Sequence, residues 1–200
     1  MQKKLRRRER VTPVLEVIAG PMFSGKTDQL IERLVRHKIA GRTFQVFKPD
    51  IDVRFGKPNK IVSHAGSELE AVRVKTNRPK DILKLTKSKT EVVGIEEVQF
   101  FDKEIVEVCD KLISLGKMVI TAGLPTDFRG EPFGSMPILL SKAEKVDRIH
   151  AVCMVCGADA DFTQRIVNGK PARYNDPIVI VGAAELYEAR CRKHHQVPGK

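Results

Sequence analysis

Residues 20–27 read Gly-Pro-Met-Phe-Ser-Gly-Lys-Thr and fit the pattern G-x-x-x-x-G-K-[ST]. An apolar run at residues 14–19 precedes them, and Leu30, Ile31, Leu34, Val35 and Ile39 follow at helical spacing, with Gly41 placed as a stop. Strand, glycine loop and helix in that order leave few folds open. The glycines let backbone N–H groups turn inward as an anion nest at a helix N-terminus, where the dipole favours phosphate. Lys26 adds a point charge, and Thr27 adds a hydroxyl suited to Mg²⁺ on nucleotide phosphates.

The pattern downstream predicts an α/β fold, a P-loop NTPase-type parallel sheet flanked by helices. Strands are expected at residues 44–47, 69–74, 92–95 and 118–122. A helix should open at Pro79, and a second, capped by Asp102 and stopped by Gly116, carries Ile105, Val108, Cys109, Leu112 and Ile113 on its inner face. Residues 48–66, rich in Pro, Asp, Asn and Gly, read as a long mobile loop. Beyond Lys145 the texture changes to short strands, cysteine pairs and a loop at 168–177. Three parts are therefore expected: a basic disordered tail (1–13), the P-loop α/β domain (14–147) and a small metal-bound domain (148–200).

At 200 residues, with 42% hydrophobic and 30% charged, the chain has enough apolar material for a core and lies far from disordered compositions. No apolar run approaches the ~18 residues of a membrane span, and no signal-type apolar region follows the N-terminus, so a cytoplasmic protein is expected. The net charge of +11 is misleading, because residues 1–10 hold six basic side chains against Glu9. That tail reads as a solvated end, and a nucleic-acid partner is not expected.

A phosphate loop needs a carboxylate at the end of a neighbouring apolar strand. Glu96 and Glu97 follow the strand at 92–95; adjacent carboxylates on extended chain point apart, so one can serve a metal while the other reaches an acceptor. Taken alone, the pair has a lesser alternative as a solvated acidic end. In a reducing compartment the four cysteines argue for metal or core rather than disulfides. Cys153-x-x-Cys156 and Cys191-x-x-His194 make a Cys₃His zinc set, with His195 a competing ligand, while Cys109 belongs to a helix face.

Together with residues 94–101 (GIEEVQFF), residues 123–133 (GLPTDFRGEPF), the block at 151–156 and Tyr187 before Cys191, these motifs resemble the zinc-containing type II thymidine kinases of the cytosolic-vertebrate and bacterial kind, in the family's order over about residues 14–195. The resemblance implies transfer of the γ-phosphate of ATP to the 5′-hydroxyl of thymidine, with deoxyuridine weaker. It implies that Glu97 is the general base and that Lys26 and Mg²⁺ stabilise the transferring phosphoryl group. Gly20, Pro21, Met22, Phe23, Ser24, Gly25, Lys26 and Thr27 would hold ATP, joined by Asp52, Arg54 and Gln99 and by Glu96, which stands where the family usually has Asp. The extra methylene of Glu96 favours a contact with Mg²⁺ through water.

On the acceptor side, the resemblance implies a lasso loop tied to structural zinc, with the thymine edge read by main-chain groups of Ile178, Val179, Ile180, Val181 and Gly182. Phe128 and Tyr187 would pack on the substrate, and Met22, Leu124 and Thr163 would surround the thymine methyl, with Phe101 and Phe133 completing the pocket. A homotetramer and feedback by thymidine triphosphate are likewise implied by the family. Three rivals remain. A nucleic-acid ATPase with a zinc ribbon would use Arg190, Arg192 and Lys193; a GTPase lacks its Asp in Asn59-Lys60-Ile61-Val62; a nucleoside monophosphate kinase would carry its lid mid-chain.

Overall fold

The computed structural model describes residues 11–52, 59–63, 66–178 and 186–200. Residues 1–10 of the expected tail, Arg54, Val179, Ile180, Val181 and Gly182 lie outside the described residues, whereas Val11, assigned to that tail, is buried with Ile18, Leu30 and Ile31, so the ordered chain starts before residue 14. Strand β1 (Leu15–Ala19) enters the glycine loop and helix α1 (Lys26–Ile39), followed by β2 (Phe44–Pro49), a β3 (Lys60–Val62) and β4 (Glu68–Glu70) hairpin, and β5 (Val72–Val74). Next come α2 (Asp81–Leu85), β6 (Val92–Ile95), a 3₁₀ turn at Val98–Phe100, α3 (Ile105–Ser114), β7 (Met118–Gly123), α4 (Met136–Lys142) and β8 (Lys145–Arg148). Six of these strands form one parallel sheet in the order β5-β2-β6-β7-β1-β8.

Successive side chains of a strand face opposite sides, and β1 shows how both faces become core. Leu15, Val17 and Ala19 join Val93, Ile95 and Val119 under α3 and α4, against Ile105, Val108, Leu112, Met136 and Leu139. Ile18 joins Val46, Val92, Ile120 and Ala122 on the other face, under Leu30, Ile31 and Leu34 of α1. Cys109 is fully enclosed in the first layer, and burial pushes its thiol up to about 12, as expected of plain core.

The expected strand at 69–74 is two elements. Ala71 breaks it: its N–H donates to Asn59 O (2.9 Å), so β4 pairs with β3 while β5 joins the main sheet. The loop at 48–66 thus contains β3, and the helix expected at Pro79 starts at Asp81. Asp102 caps α3 only through its carbonyl, which accepts from Ile105 N–H (2.9 Å); Glu104 occupies the cap position without a side-chain bond. Helix α4, with a proline in its first turn, was not legible as a period because it spans only seven residues.

The C-terminal part begins with a hairpin of β9 (Ala151–Val152) and β10 (Asp159–Ala160). A three-stranded sheet follows, in which β11 (Phe162–Val167) lies between β12 (Lys170–Pro171) and β13 (Leu186–Arg190).

Candidate active site and metal centre

The glycine loop sits at the C-terminal end of β1, where a parallel sheet exposes its crevice. Gly25 takes φ 82°, a left-handed turn that a side chain would strain, and heads α1 without any side-chain cap. The first N–H groups of α1 are thereby left facing the loop's concavity. Lys26 is buried, and its Nζ donates to Pro21 O at 2.6 Å, closing the loop on itself; Ser24 Oγ donates to the same carbonyl at 2.8 Å.

Glu96 and Glu97 come off the end of β6, two strands from β1, both buried. Thr27 Oγ1 donates to Glu96 Oε1 at 2.5 Å, so the helix-start hydroxyl and the strand-end carboxylate meet. Glu97 has φ 49° and ψ 42°, and this left-handed turn breaks the extended path and sends its carboxylate to a separate place. It lines one cavity with Met22, Phe23, Gly25, Lys26, Thr27 and Asp28. Asp52 lines a neighbouring cavity with Thr27, Lys48 and Glu96. The buried Lys48 Nζ lies 3.3 Å from the Asp52 carboxylate and donates to Lys60 O at 2.9 Å, holding together two residues on either side of the segment that contains Arg54.

Gln99 ties this centre to the next strand. Its Nε2 donates to Glu97 Oε2 at 2.5 Å, and its Oε1 accepts from Leu124 N–H at 3.1 Å. Gly123 makes room for it, since a Cβ there would stand 2.6 Å from that Oε1. The same turn brings Leu124 and Phe128 in, both buried, while Phe133 stacks edge-on against Phe100 with centroids 5.4 Å apart. Phe101 packs in the core layer beneath α3. Thr163 on β11 is buried, and its Oγ1 accepts from Met22 N–H of the glycine loop at 3.0 Å. Tyr187 sits on β13 opposite Arg165, and Ile178 is exposed.

Across this constellation, a thymidine kinase family model matches residues 13–195. The chain belongs to the thymidine kinase family. The type II kind, with its zinc-bearing C-terminal part, is consistent with the cysteine cluster of this thymidine kinase.

Cys153, Cys156, Cys191 and His194 bring one donor atom each within 4.8 Å of one another. Cys153 and Cys156 flank a turn beyond β9, where Cys153 O accepts from Gly157 N–H (2.9 Å); Cys191 and His194 form a second turn beyond β13, joined by His194 N–H to Cys191 O (3.0 Å). Zinc–sulfur bonds of about 2.3 Å at tetrahedral angles separate two sulfurs by about 3.8 Å. The Cys156 and Cys191 sulfurs are 3.8 Å apart, and His194 Nδ1 lies 3.3 Å from Cys191 and 3.7 Å from Cys153. Burial works to raise the Cys153 thiol, but backbone N–H groups of Cys191, Val155 and Cys156, with His194, outweigh it and bring it to about 5. The donor set therefore fits zinc. His195 is excluded as the fourth ligand here: its Nε2 meets Phe128 O at 2.8 Å, and its ring stacks on Phe162 with centroids 4.6 Å apart.

Three buried charged residues beside this constellation carried little signal in the sequence. Lys48 stood at the start of the loop expected at 48–66 and Arg165 carried no motif, and only their burial, at 1% and 2% exposure, marks them. Asp127 shapes the turn that contains Phe128 by accepting from Arg129 N–H (2.8 Å) and Glu131 N–H (3.1 Å). The D-x-R-G spacing was its only signal.

Proposed function

We propose that this thymidine kinase transfers the γ-phosphate of ATP to the 5′-hydroxyl of thymidine, giving thymidine monophosphate and ADP, with deoxyuridine a weaker acceptor. The observation that carries this reading is Glu97, whose carboxylate shares a cavity with Lys26 and Thr27 in a chain matched to the family over residues 13–195. Glu97 takes the proton of the 5′-hydroxyl as the new O–P bond forms; the bond from Pγ to the β,γ-bridging oxygen breaks, and its electrons leave with ADP. Residues 20–27 cradle the phosphates, with Lys26 turning from Pro21 O to the transferring group. Mg²⁺ suits the hard oxygens of Thr27 and Glu96 and, when bound, neutralises charge on the β- and γ-phosphates. Asp52, Arg54 and Gln99 complete the donor side.

Thymidine lies between Phe128, Tyr187, Leu124, Met22, Thr163, Phe101 and Phe133, with its base edge read by the main chain of residues 178–182. A methyl contact contributes only about 1–3 kcal/mol, so deoxyuridine is disfavoured rather than excluded. Zinc held by four protein ligands keeps no open position for chemistry, so its role is to hold the acceptor-side loop. The division at residues 147/148, a cytoplasmic location, a homotetramer and feedback by thymidine triphosphate belong to the same reading. No helix among the described residues is long and apolar enough to cross a membrane.

The test is product chromatography with Mg-ATP and, in separate reactions, thymidine, deoxyuridine, the other deoxynucleosides, thymidine monophosphate or no acceptor. Thymidine monophosphate from thymidine, deoxyuridine second and a quiet blank are expected. ATP hydrolysis without nucleoside phosphorylation would overturn the reading.

A further inference from the structure

Arg165 is among the largest fully buried side chains of the protein, at 2% exposure in the middle of β11. A guanidinium is costly to bury unless its surroundings hold it, so its position in a strand core calls for a role. Two contacts supply one. Its Nη1 donates to the carbonyl of Pro177, twelve residues downstream, and its Cζ lies over the Phe128 ring at 5.4 Å from the centroid. Residues 163 and 165 share one face of β11. On that face Thr163 takes the N–H of Met22 from the phosphate loop, and Arg165 grips the opposite wall.

Phe128 is thus fixed twice. His195, next to the metal-cluster ligand His194, holds its carbonyl at 2.8 Å, and Arg165 holds its ring. Pro177 stands immediately before Ile178, where the chain proposed to read the base begins. Arginine suits this position because its flat face stacks on a ring while its edge donates to a carbonyl, a combination lysine lacks.

We propose that Arg165 is a positioning residue for the acceptor pocket, setting the distance between the Phe128 wall and the Pro177 end of the base-reading segment. The proposal rests on the thymidine kinase reading. Its effect falls on thymidine, because neither contact reaches the phosphate loop directly.

The experiment compares the full-length protein with R165K and R165M, varying thymidine and Mg-ATP separately, with zinc content and hydrogen exchange of peptides covering 172–178 read on the same samples. R165M is expected to keep zinc and the KM for ATP while the KM for thymidine rises about tenfold or more, and to speed exchange over 172–178. R165K should recover part of both effects by donating to Pro177 O without the stacked face. Should R165M fail to fold, R165K decides alone: its thymidine KM rises with the ATP KM constant, or the proposal fails. Unchanged thymidine KM and exchange, or equal rises in both KM values, overturn it. If the unaltered protein does not phosphorylate thymidine, the functional reading falls, and the exchange over 172–178 in R165K still judges Arg165.

Discussion

The N–H of Met22 donates to the hydroxyl of Thr163 at 3.0 Å, joining the glycine loop to a strand of the C-terminal sheet across 141 residues of chain. The glycine loop and the C-terminal sheet are therefore physically coupled. Thr163→Val keeps the shape but deprives the Met22 N–H of its acceptor, and a part-buried group so treated costs about 1–3 kcal/mol. Thermal denaturation should show the loss, and Thr163→Ser should restore most of it. Equal melting temperatures for the valine and serine variants would show that the bond contributes nothing.

Glu97→Gln keeps the size of the side chain and removes its capacity to accept a proton. Turnover should fall by about 10²–10⁴ while ATP binding, followed by nucleotide fluorescence, stays within twofold. Gln99→Leu should lower turnover by a smaller factor, since it frees the Glu97 carboxylate from its 2.5 Å brace without removing it. Near-native turnover of Glu97→Gln would remove Glu97 from the role of base.

Removing zinc by chelation, or weakening its site by Cys156→Ser, should act on the acceptor side first. The expected outcome is at least about tenfold weaker metal retention, a lower melting temperature and a raised KM for thymidine. Cys156 is exposed, so the substitution leaves packing intact. A zinc-free preparation, verified by elemental analysis, that binds thymidine normally would count against the structural role.

His37, near the end of α1, has its pKa lowered from 6.5, first by burial and then by Arg42, whose Nη1 lies 3.1 Å from His37 Nδ1. The folded protein keeps this ring neutral at a pH where the unfolded chain protonates it. The associated stability is present above pH 6.5 and is lost as pH falls through the folded pKa. Melting temperatures taken downward from pH 7.5 should decline, and His37→Gln should flatten part of that decline. A parallel decline in both proteins would assign it to other groups.

Much of this was legible along the chain because the decisive signals are local. The glycine loop declared itself through residues 20–27 and the strand and helix patterns on either side. The burial of β1 followed from its continuous apolar run, the core faces of α1 and α3 from a period of 3.6, and the cysteine spacing named the donors. These properties depend on neighbours within a few residues, and chain order alone carries them.

Tertiary structure decided what depends on residues far apart. Sequence could not choose between His194 and His195, because the choice turns on the carbonyl of Phe128, which captures His195 67 residues away. The divergence of Glu96 and Glu97 was expected from extended chain, but it is a left-handed turn at Glu97 that sends one carboxylate to Thr27 and the other to Gln99. The strand expected at 69–74 broke because Asn59 offers Ala71 an acceptor outside the main sheet. Lys48 and Arg165 stand out only because other strands remove them from water, since burial is a property of packed surfaces and no single stretch of chain encodes it.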